Sequence, residues 1–159
     1  MKPHWSDFWI EYPDYGTWPD SAALKRDIGG SVDAAWITNT CAVRLSRGLN
    51  YSGVPLPAHA AGLLTVKGGD DKYYALRVAE MRRWLVQAIG NPDFDHKKKK
   101  GDPFDKTTLA AWKGIIGFDI SFADATGHLD AWDGTKFSSE YKVSDYWTPA
   151  TRITLWKLI

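Results

Sequence analysis

The sequence predicts a single α+β domain over residues 1–159, with helices first along the chain and an antiparallel sheet after them. Apolar residues recur at helical spacing as far as Ile89, whereas three runs from Lys113 onward are rich in the branched and aromatic residues of strands. A length of 159 residues also fits one domain, since domains usually contain about 100–200 residues. The sequence shows no internal repeat and no linker.

Four helices are predicted from apolar periodicity and from the residues that start and stop helices. Pro13 ends the first, Ser21 caps the second and Gly29-Gly30 ends it, and Gly90 ends the fourth. The fourth has the clearest apolar stripe, from Tyr74 to Ile89. The predicted helices cover Trp5–Tyr12, Ala22–Ile28, Cys41–Asn50 and a segment from Asp70-Asp71 to Ile89.

The remaining segments are predicted as loops and strands. Turn residues make 51–69 a loop with a short extended piece at Leu63–Val66. The lysine run Lys97–Lys100 is short and flanked by turn residues, so we interpret it as a solvated loop without function. Three strands are expected, at Lys113–Phe122, Gly127–Gly134 and Thr151–Leu158.

Charge and hydropathy exclude several classes of partner. The formal net charge is +1, from 20 basic and 19 acidic residues, which gives no reason to expect nucleic acid or an acidic membrane surface. No run approaches the roughly 20 apolar residues that span a bilayer, so no membrane insertion is expected. The first ten residues lack the apolar run of a signal peptide. We therefore expect synthesis in a cytoplasm and export by a route that reads no N-terminal signal.

Cysteine and histidine are sparse. One cysteine cannot form an intrachain disulfide, and His4, His59 and His96 lack the paired spacing of a zinc site. We expect no metal and no cofactor. The chain is instead rich in aromatic residues, with 9 Trp, 7 Tyr and 6 Phe. These side chains favour core packing, although exposed rings also stack on sugars or nucleobases.

Cys41 is the best candidate for a functional residue. It begins a predicted helix, where the helix dipole favours a nucleophilic thiolate over the thiol. A free cysteine is also a common buried hydrophobe, so a core role is the alternative. The backbone N–H of Cys41 is a candidate oxyanion donor, and Asn39 is either a second donor or a cap of the helix.

His128 is the candidate partner of Cys41. It opens a predicted strand, and period-two alternation places it on one face with Asp130 and Trp132. An imidazole facing the thiol would take its proton and later protonate the departing amine of a cleaved amide. A third polar group would fix the imidazole tautomer, and Asp130 is preferred over the alternative, Glu140.

Four segments carry a resemblance to a known family. They are NTCAVRLS at Asn39–Ser46, KGII at Lys113–Ile116, GHLDAWDG at Gly127–Gly134 and ITLW at Ile153–Trp156. In this order and spacing, they resemble the fourth family of type VI secretion amidase effectors, and the match extends over most of the chain. The resemblance implies a papain-like fold of the NlpC type, with Cys41 as nucleophile and His128 as general base.

The resemblance also implies a function. The expected activity is cleavage of the peptide stem of peptidoglycan between D-glutamate and meso-diaminopimelate, in the periplasm of a rival cell reached by type VI secretion. A cognate immunity protein would block the cleft in the producing cell. The family commonly has an aspartate about a dozen residues after the histidine, where this sequence has Ser139-Glu140. The alternatives are a non-catalytic, tryptophan-rich module that binds cell walls or glycans, and another acyl transfer on the same fold.

Overall fold

The computed structural model describes residues 1–121 and 127–159. Its helices are α1 (Trp5–Glu11), α2 (Ser21–Ile28), α3 (Cys41–Asn50) and α4 (Val78–Ile89), with short 3-10 turns at Gly30–Val32 and Lys106–Leu109. Its strands are β1 (Thr65–Lys67), β2 (Tyr73–Ala75), β3 (Phe94–Lys97), β4 (Gly114–Asp119), β5 (Gly127–Trp132) and β6 (Arg152–Lys157). The predicted α+β class is confirmed, with three helices before the first strand and the main sheet after α4.

The main sheet has four antiparallel strands in the order β3-β6-β4-β5. β4 is the central strand that pairs with both β5 and β6, and its Ile116 lies opposite Asp130 of β5. β1 and β2 form a separate two-stranded ribbon. β5 therefore lies at the end of the described sheet, beside α3, and this position brings its side chains near the helix start.

Two hydrophobic clusters cover the two faces of the sheet. On one face, Leu129 and Ala131 of β5 pack with residues of α3 and α4, including Leu45 and Leu85. On the other face, Phe118 and other aromatic side chains pack with the segments that flank β5 and β6. The alternation along β5 thus buries Leu129 and Ala131 on the α3 side, as expected for a strand covered on both faces.

The prediction of α4 was wrong at its start. The helix begins at Val78 rather than at Asp70-Asp71, because Tyr73–Ala75 pairs with β1 instead. Asp70 belongs to the connecting turn, where its carboxylate accepts a hydrogen bond from the Tyr74 hydroxyl at 2.6 Å. Tyr74 lies in β2, where its side chain is fully buried. The apolar stripe of α4 begins at Val78.

The N-cap of α2 also differs from the prediction. Asp20 caps the helix, with its side chain accepting from the Ala22 N–H at 2.9 Å. Ser21 is the first helical residue, and its hydroxyl lies 3.0 Å from that of Thr40. Gly29 ends the helix with a φ of 74°, as the predicted glycine stop requires.

The three predicted strands are correct to within a few residues, but β2 and β3 were not predicted. The segment expected at Lys113–Phe122 forms β4 over Gly114–Asp119, and Phe122 lies outside the described residues. β3 was missed because its sequence, FDHK, has little apolar character. It pairs with β6 and ends at Lys97, the first lysine of the run. The next lysine, Lys98, donates to three backbone carbonyls of the following turn and of Thr148.

Candidate active site

Cys41 is the first residue of α3 and is 7% exposed. Thr40 precedes the helix with a non-helical backbone, and the Cys41 N–H donates to the Asn39 side-chain oxygen at 3.0 Å. Asn39 therefore caps this N–H in the structure. The Cys41 N–H is the candidate oxyanion donor, and a substrate oxygen would have to replace Asn39 as its acceptor.

The Cys41 thiol contacts the His128 imidazole. Cys41 Sγ lies 2.9 Å from His128 Nδ1, although the two residues are 87 positions apart in sequence. On the far side of the ring, His128 Nε2 lies 2.8 Å from Asp130 Oδ2 and 3.1 Å from Ser139 Oγ. The ring is thus held between a sulfur on one side and two oxygen atoms on the other.

Asp130 is fully buried and is held by hydrogen-bond donors on both carboxylate oxygens. Oδ1 accepts from the Tyr12 hydroxyl at 2.9 Å and from the Ala131 N–H at 2.8 Å. Oδ2 accepts from the N–H and the hydroxyl of Ser139, at 3.0 and 2.7 Å, in addition to its contact with His128. A buried carboxylate with this many donors remains ionised and fixed in orientation.

These contacts shift the pKa values of the three groups. Burial raises the pKa of the Cys41 thiol, but the positive charge of His128 and its hydrogen bond prevail, so the net pKa is lowered. Burial lowers the pKa of His128, but Cys41 and Asp130 outweigh it and raise the pKa to about 10. Burial likewise raises the pKa of Asp130, yet hydrogen bonds from His128 and Ser139 hold it below its usual value. The three shifts favour the charged forms, a thiolate, an imidazolium and a carboxylate in a row.

The thiol and the imidazole both line a cleft of about 280 Å³. Asn39 and Tyr15 line the cleft as well, and Lys142 and Tyr146 contribute from the segment before β6. The buried sulfur therefore has a route to solvent through a space that a peptide could enter.

Tyr15 and Arg44 are site residues that the sequence analysis missed. The Tyr15 hydroxyl lies 3.5 Å from Cys41 Sγ, and burial raises its pKa well above the usual value, so the phenol stays neutral. The Arg44 guanidinium is fully buried, 3.8 Å from the centre of the Tyr15 ring, and donates to the Pro13 carbonyl at 2.9 Å. The position of Arg44 three residues after Cys41, on the same side of the helix, was the available signal.

Glu140, the alternative third residue, lies elsewhere in the contact network. Its carboxylate is 3.3 Å from Lys106 Nζ, and this ion pair is partly exposed. Its neighbour Ser139 is 3% exposed and contacts both His128 and Asp130. The window in which the family commonly has aspartate therefore contributes a hydroxyl, and the carboxylate beside the imidazole is that of Asp130.

Two further properties of the described residues bear on the kind of site. No cluster of three or more histidine, cysteine, aspartate or glutamate side chains in residues 1–121 and 127–159 is arranged to hold a metal ion. Over the same residues, none of the helices has the length and apolar character needed to cross a membrane.

The four-stranded antiparallel sheet, with a cysteine at the start of the helix beside it, places the protein in the papain-like α+β class. Residues 37–156 match the family described as type VI secretion system (T6SS), amidase effector protein 4, and the chain belongs to this Tae4 family. Family membership makes it an antibacterial peptidoglycan amidase effector of type VI secretion.

Solved structures of Tae4 proteins share the complete fold. The chain is 27% identical to Tae4 in the Tae4–Tai4 effector–immunity complex from Enterobacter cloacae, with a TM-score of 0.85 and full coverage of both chains. It is 29% identical to Tae4 alone from the same species, with a TM-score of 0.83, covering 100% of this chain and 98% of the other. The chain is 25% identical to the matched chain of the Tae4/Tai4 effector–immunity system from Salmonella typhimurium, with a TM-score of 0.84 and full coverage of both chains. No curated protein sequence matches the chain significantly.

Proposed function

We propose that the protein is a cysteine amidase that cleaves the bond between the γ-carboxyl of D-glutamate and meso-diaminopimelate in peptidoglycan stems. One observation carries this proposal: Cys41 Sγ, the two nitrogens of His128 and Asp130 Oδ2 form a continuous line of contacts of 2.8–2.9 Å beside an open cleft. A thiolate held by an imidazolium is the nucleophile that such amide cleavage requires.

The reaction proceeds in two balanced steps. In the first, the Cys41 thiolate attacks the γ-carbonyl carbon, the C–N bond breaks, and the His128 imidazolium gives its proton to the departing amine of diaminopimelate. This leaves a thioester between Cys41 and the glutamyl group. In the second step, neutral His128 takes a proton from water, which attacks the thioester, and the released sulfur forms the thiolate–imidazolium pair again.

Asp130 is proposed as the third catalytic residue, with Ser139 as a positioning residue. Asp130 Oδ2 accepts from His128 Nε2, which leaves Nδ1 facing the sulfur and stabilises the imidazolium. The Ser139 hydroxyl donates to Oδ2 at 2.7 Å, and it fixes the carboxylate rather than contacting the substrate. The ion pair of Glu140 with Lys106 argues against Glu140 in this role.

The oxyanion that forms on the carbonyl needs hydrogen-bond donors in the cleft. The Cys41 N–H is proposed as one donor, with Asn39 releasing it to the substrate oxygen, and the Asn39 amide as a second. The neutral Tyr15 hydroxyl, 3.5 Å from the sulfur, is a third group within reach of the same carbonyl.

The biological setting follows from the family and from its complexes. Two of the matched structures are complexes of Tae4 with the immunity protein Tai4. We propose that this chain likewise has a cognate immunity protein that covers the cleft in the producing cell. Secretion would deliver the enzyme to the periplasm of the target cell, where the peptidoglycan lies.

The test uses purified Gram-negative sacculi and mass spectrometry of the released fragments. The protein should yield fragments that end at D-glutamate and begin at diaminopimelate, and Cys41→Ala and His128→Ala should each abolish this release, because members of one catalytic unit fail together. His59→Ala, which changes an exposed histidine that is not among the cleft residues, is the matched control and should keep full activity. Fragments cut at another bond would reject the proposed specificity.

One experiment separates this proposal from a non-catalytic tryptophan-rich module. Iodoacetamide should label native Cys41 well below pH 8.5, because the imidazolium lowers the thiol pKa. A buried structural cysteine would be labelled only after unfolding.

A further inference from the structure

We infer that a second groove on the protein, next to the catalytic cleft, binds the sugar chain of peptidoglycan. The groove has a volume of about 630 Å³ and is lined by three tryptophans, Trp5, Trp9 and Trp18, and by the carboxylates of Glu11, Asp14 and Asp27. We call it the aromatic groove. The inference rests on the proposed function, because it assigns the groove to the glycan part of the same substrate.

The aromatic rings of α1 form a stacked series along the groove. The Trp5 and Trp9 rings are 5.2 Å apart with an interplanar angle of 17°, and Trp9 and Tyr12 are 6.1 Å apart at 23°. Trp9 is 37% exposed, unlike Phe8 on the buried side of the same helix. Sugar rings pack their C–H bonds, which carry partial positive charge, on exposed aromatic surface. Because Trp9 already stacks against Trp5 and Tyr12, the groove offers a sugar the part of this series that stays exposed, together with the Trp18 ring.

The polar residues of the groove favour a neutral, hydroxyl-rich ligand. Glu11, Asp14 and Asp27 supply carboxylate oxygens, against one cation, Arg47, among the lining residues. An anionic ligand such as a nucleic acid or a phospholipid headgroup would be repelled by this balance. The carboxylates of the groove can accept hydrogen bonds from sugar hydroxyls. The sugars of peptidoglycan themselves carry no free carboxylate where a stem is attached, because the stem is joined to that carboxyl group through an amide.

A shared ridge connects the aromatic groove with the catalytic cleft. Asp14, Thr17 and Trp18 line the groove, while Tyr15 and Ser21 of the same segment line the cleft. Residues 14–21 therefore form a border that the two spaces share.

The substrate is short between its sugar and the proposed scissile bond. In peptidoglycan, D-glutamate is the second residue of the stem, which is attached to the sugar through its first residue. Two extended residues span about 7 Å, so a stem whose γ-glutamyl bond lies at Cys41 would keep its sugar close to the cleft, on the side of the segment that borders both spaces. The volume of the groove, about 630 Å³, also lies within the range of about 300–1,000 Å³ typical of sites for molecules of this size.

The test compares two substrates that share the scissile bond. One is the intact sacculus, and the other is the sugar-free tripeptide L-Ala-γ-D-Glu-meso-diaminopimelate. Trp9→Ala and Trp18→Ala should each lower kcat/KM on sacculi by about tenfold, the effect of losing one stacking platform, and leave kcat/KM on the tripeptide unchanged. Trp36→Ala is the matched control, because Trp36 is 64% exposed and is not among the groove residues.

Direct binding gives a second readout that does not need catalysis. The Cys41→Ala protein should bind chitin oligosaccharides, a stem-free glycan of uncharged N-acetylglucosamine units, and adding Trp9→Ala or Asp27→Asn should weaken that binding. If the unaltered enzyme cuts neither substrate, the proposed function fails, while this binding measurement still decides the role of the groove. If Trp9→Ala does not fold, Trp18→Ala and Trp9→Phe replace it.

Three outcomes would overturn the inference. Equal loss on sacculi and tripeptide would indicate a structural role for the tryptophans. Unchanged activity on sacculi, with no binding of stem-free glycan, would show that sugar does not occupy the groove. If the tryptophan variants lose affinity for an immunity protein but keep their activity on sacculi and their glycan binding, the groove belongs to that partner instead.

Discussion

Replacing Asp130 by asparagine tests the third member of the proposed triad. The change keeps the shape of the side chain but removes the charge that faces His128 Nε2 at 2.8 Å. A hydrogen bond to a charged group contributes about 1.5–3 kcal/mol, and each 1.4 kcal/mol is a factor of ten in rate. We therefore expect Asp130→Asn to lower kcat/KM on the stem tripeptide by about 10- to 150-fold.

The matched control for Asp130→Asn is Glu140→Gln. It removes a carboxylate next to Ser139 that forms a partly exposed ion pair with Lys106, and such pairs contribute about 0–1 kcal/mol. We expect this variant to retain activity within about threefold. The same two variants should differ in folding, because the asparagine amide would oppose the Tyr12 hydroxyl or a backbone N–H that now donates to Asp130.

The assay must separate catalysis from folding. Circular dichroism and urea unfolding should show Asp130→Asn folded at the assay temperature, with a free energy of unfolding lower by about 1–3 kcal/mol. Because Asp130 raises the pKa of His128, its loss should lower that pKa, which the basic limb of the pH profile of kcat/KM would report. Activity of Asp130→Asn within threefold of the parent, together with a large loss in Glu140→Gln, would refute the assignment of Asp130.

Three further predictions concern the thiol, the positioning hydroxyl and the core. In His128→Ala the thiol stays buried but loses the imidazolium, so the Cys41 pKa should rise above its usual value of about 8.5. If the pH dependence of Cys41 alkylation does not change in this variant, the thiolate–imidazolium pair is contradicted. Ser139→Ala removes one hydrogen bond to Asp130 and should lower kcat by about tenfold with little change in KM; a change in KM alone would indicate substrate contact instead. Gly48→Ala places a Cβ 2.6 Å from the Phe8 ring and should lower the free energy of unfolding by about 1–3 kcal/mol in urea titrations, and an unchanged midpoint would show that α1 can move away.

Much of the fold follows from local sequence patterns. α1, α3 and the strands β4 to β6 were predicted within a few residues, because each has an apolar pattern with the period of its own secondary structure. β2 and β3 could not be found in this way, whereas the extended piece predicted at Leu63–Val66 overlaps β1. β3 is a polar segment that is a strand only because β6 pairs with it, and Tyr73–Ala75 leaves the helical stripe because it pairs with Thr65–Lys67. Pairing between segments is a tertiary property that single-segment propensity does not contain.

The site residues also divide into those that a local sequence pattern predicted and those that it did not. Cys41 at a helix start, and His128 with Asp130 two residues later on a strand, are local patterns, and the structure brings these three side chains into contact. Tyr12 and Ser139 reach Asp130 from 118 and 9 residues away, respectively, so no local pattern indicated them. Their roles are set by how α1 and the segment after β5 pack around the buried carboxylate.

The position of the carboxylate shows why the spacing common in the family is a weak guide to the acidic residue that faces the histidine. After β5 the chain turns back on itself, with the Ser138 N–H donating to the Ala131 carbonyl at 3.0 Å, and this turn carries Ser139 to the edge of the imidazole. Asp130 and Ser139 are therefore neighbours in space, and a carboxylate at either position could face His128 Nε2. In this chain the carboxylate of Asp130 is on β5, and the hydroxyl of Ser139 is on the segment that turns back after β5. The imidazole requires one ionised oxygen at hydrogen-bond distance, held by donors that fix its direction, and the rigid strand supplies that oxygen without depending on the conformation of a loop.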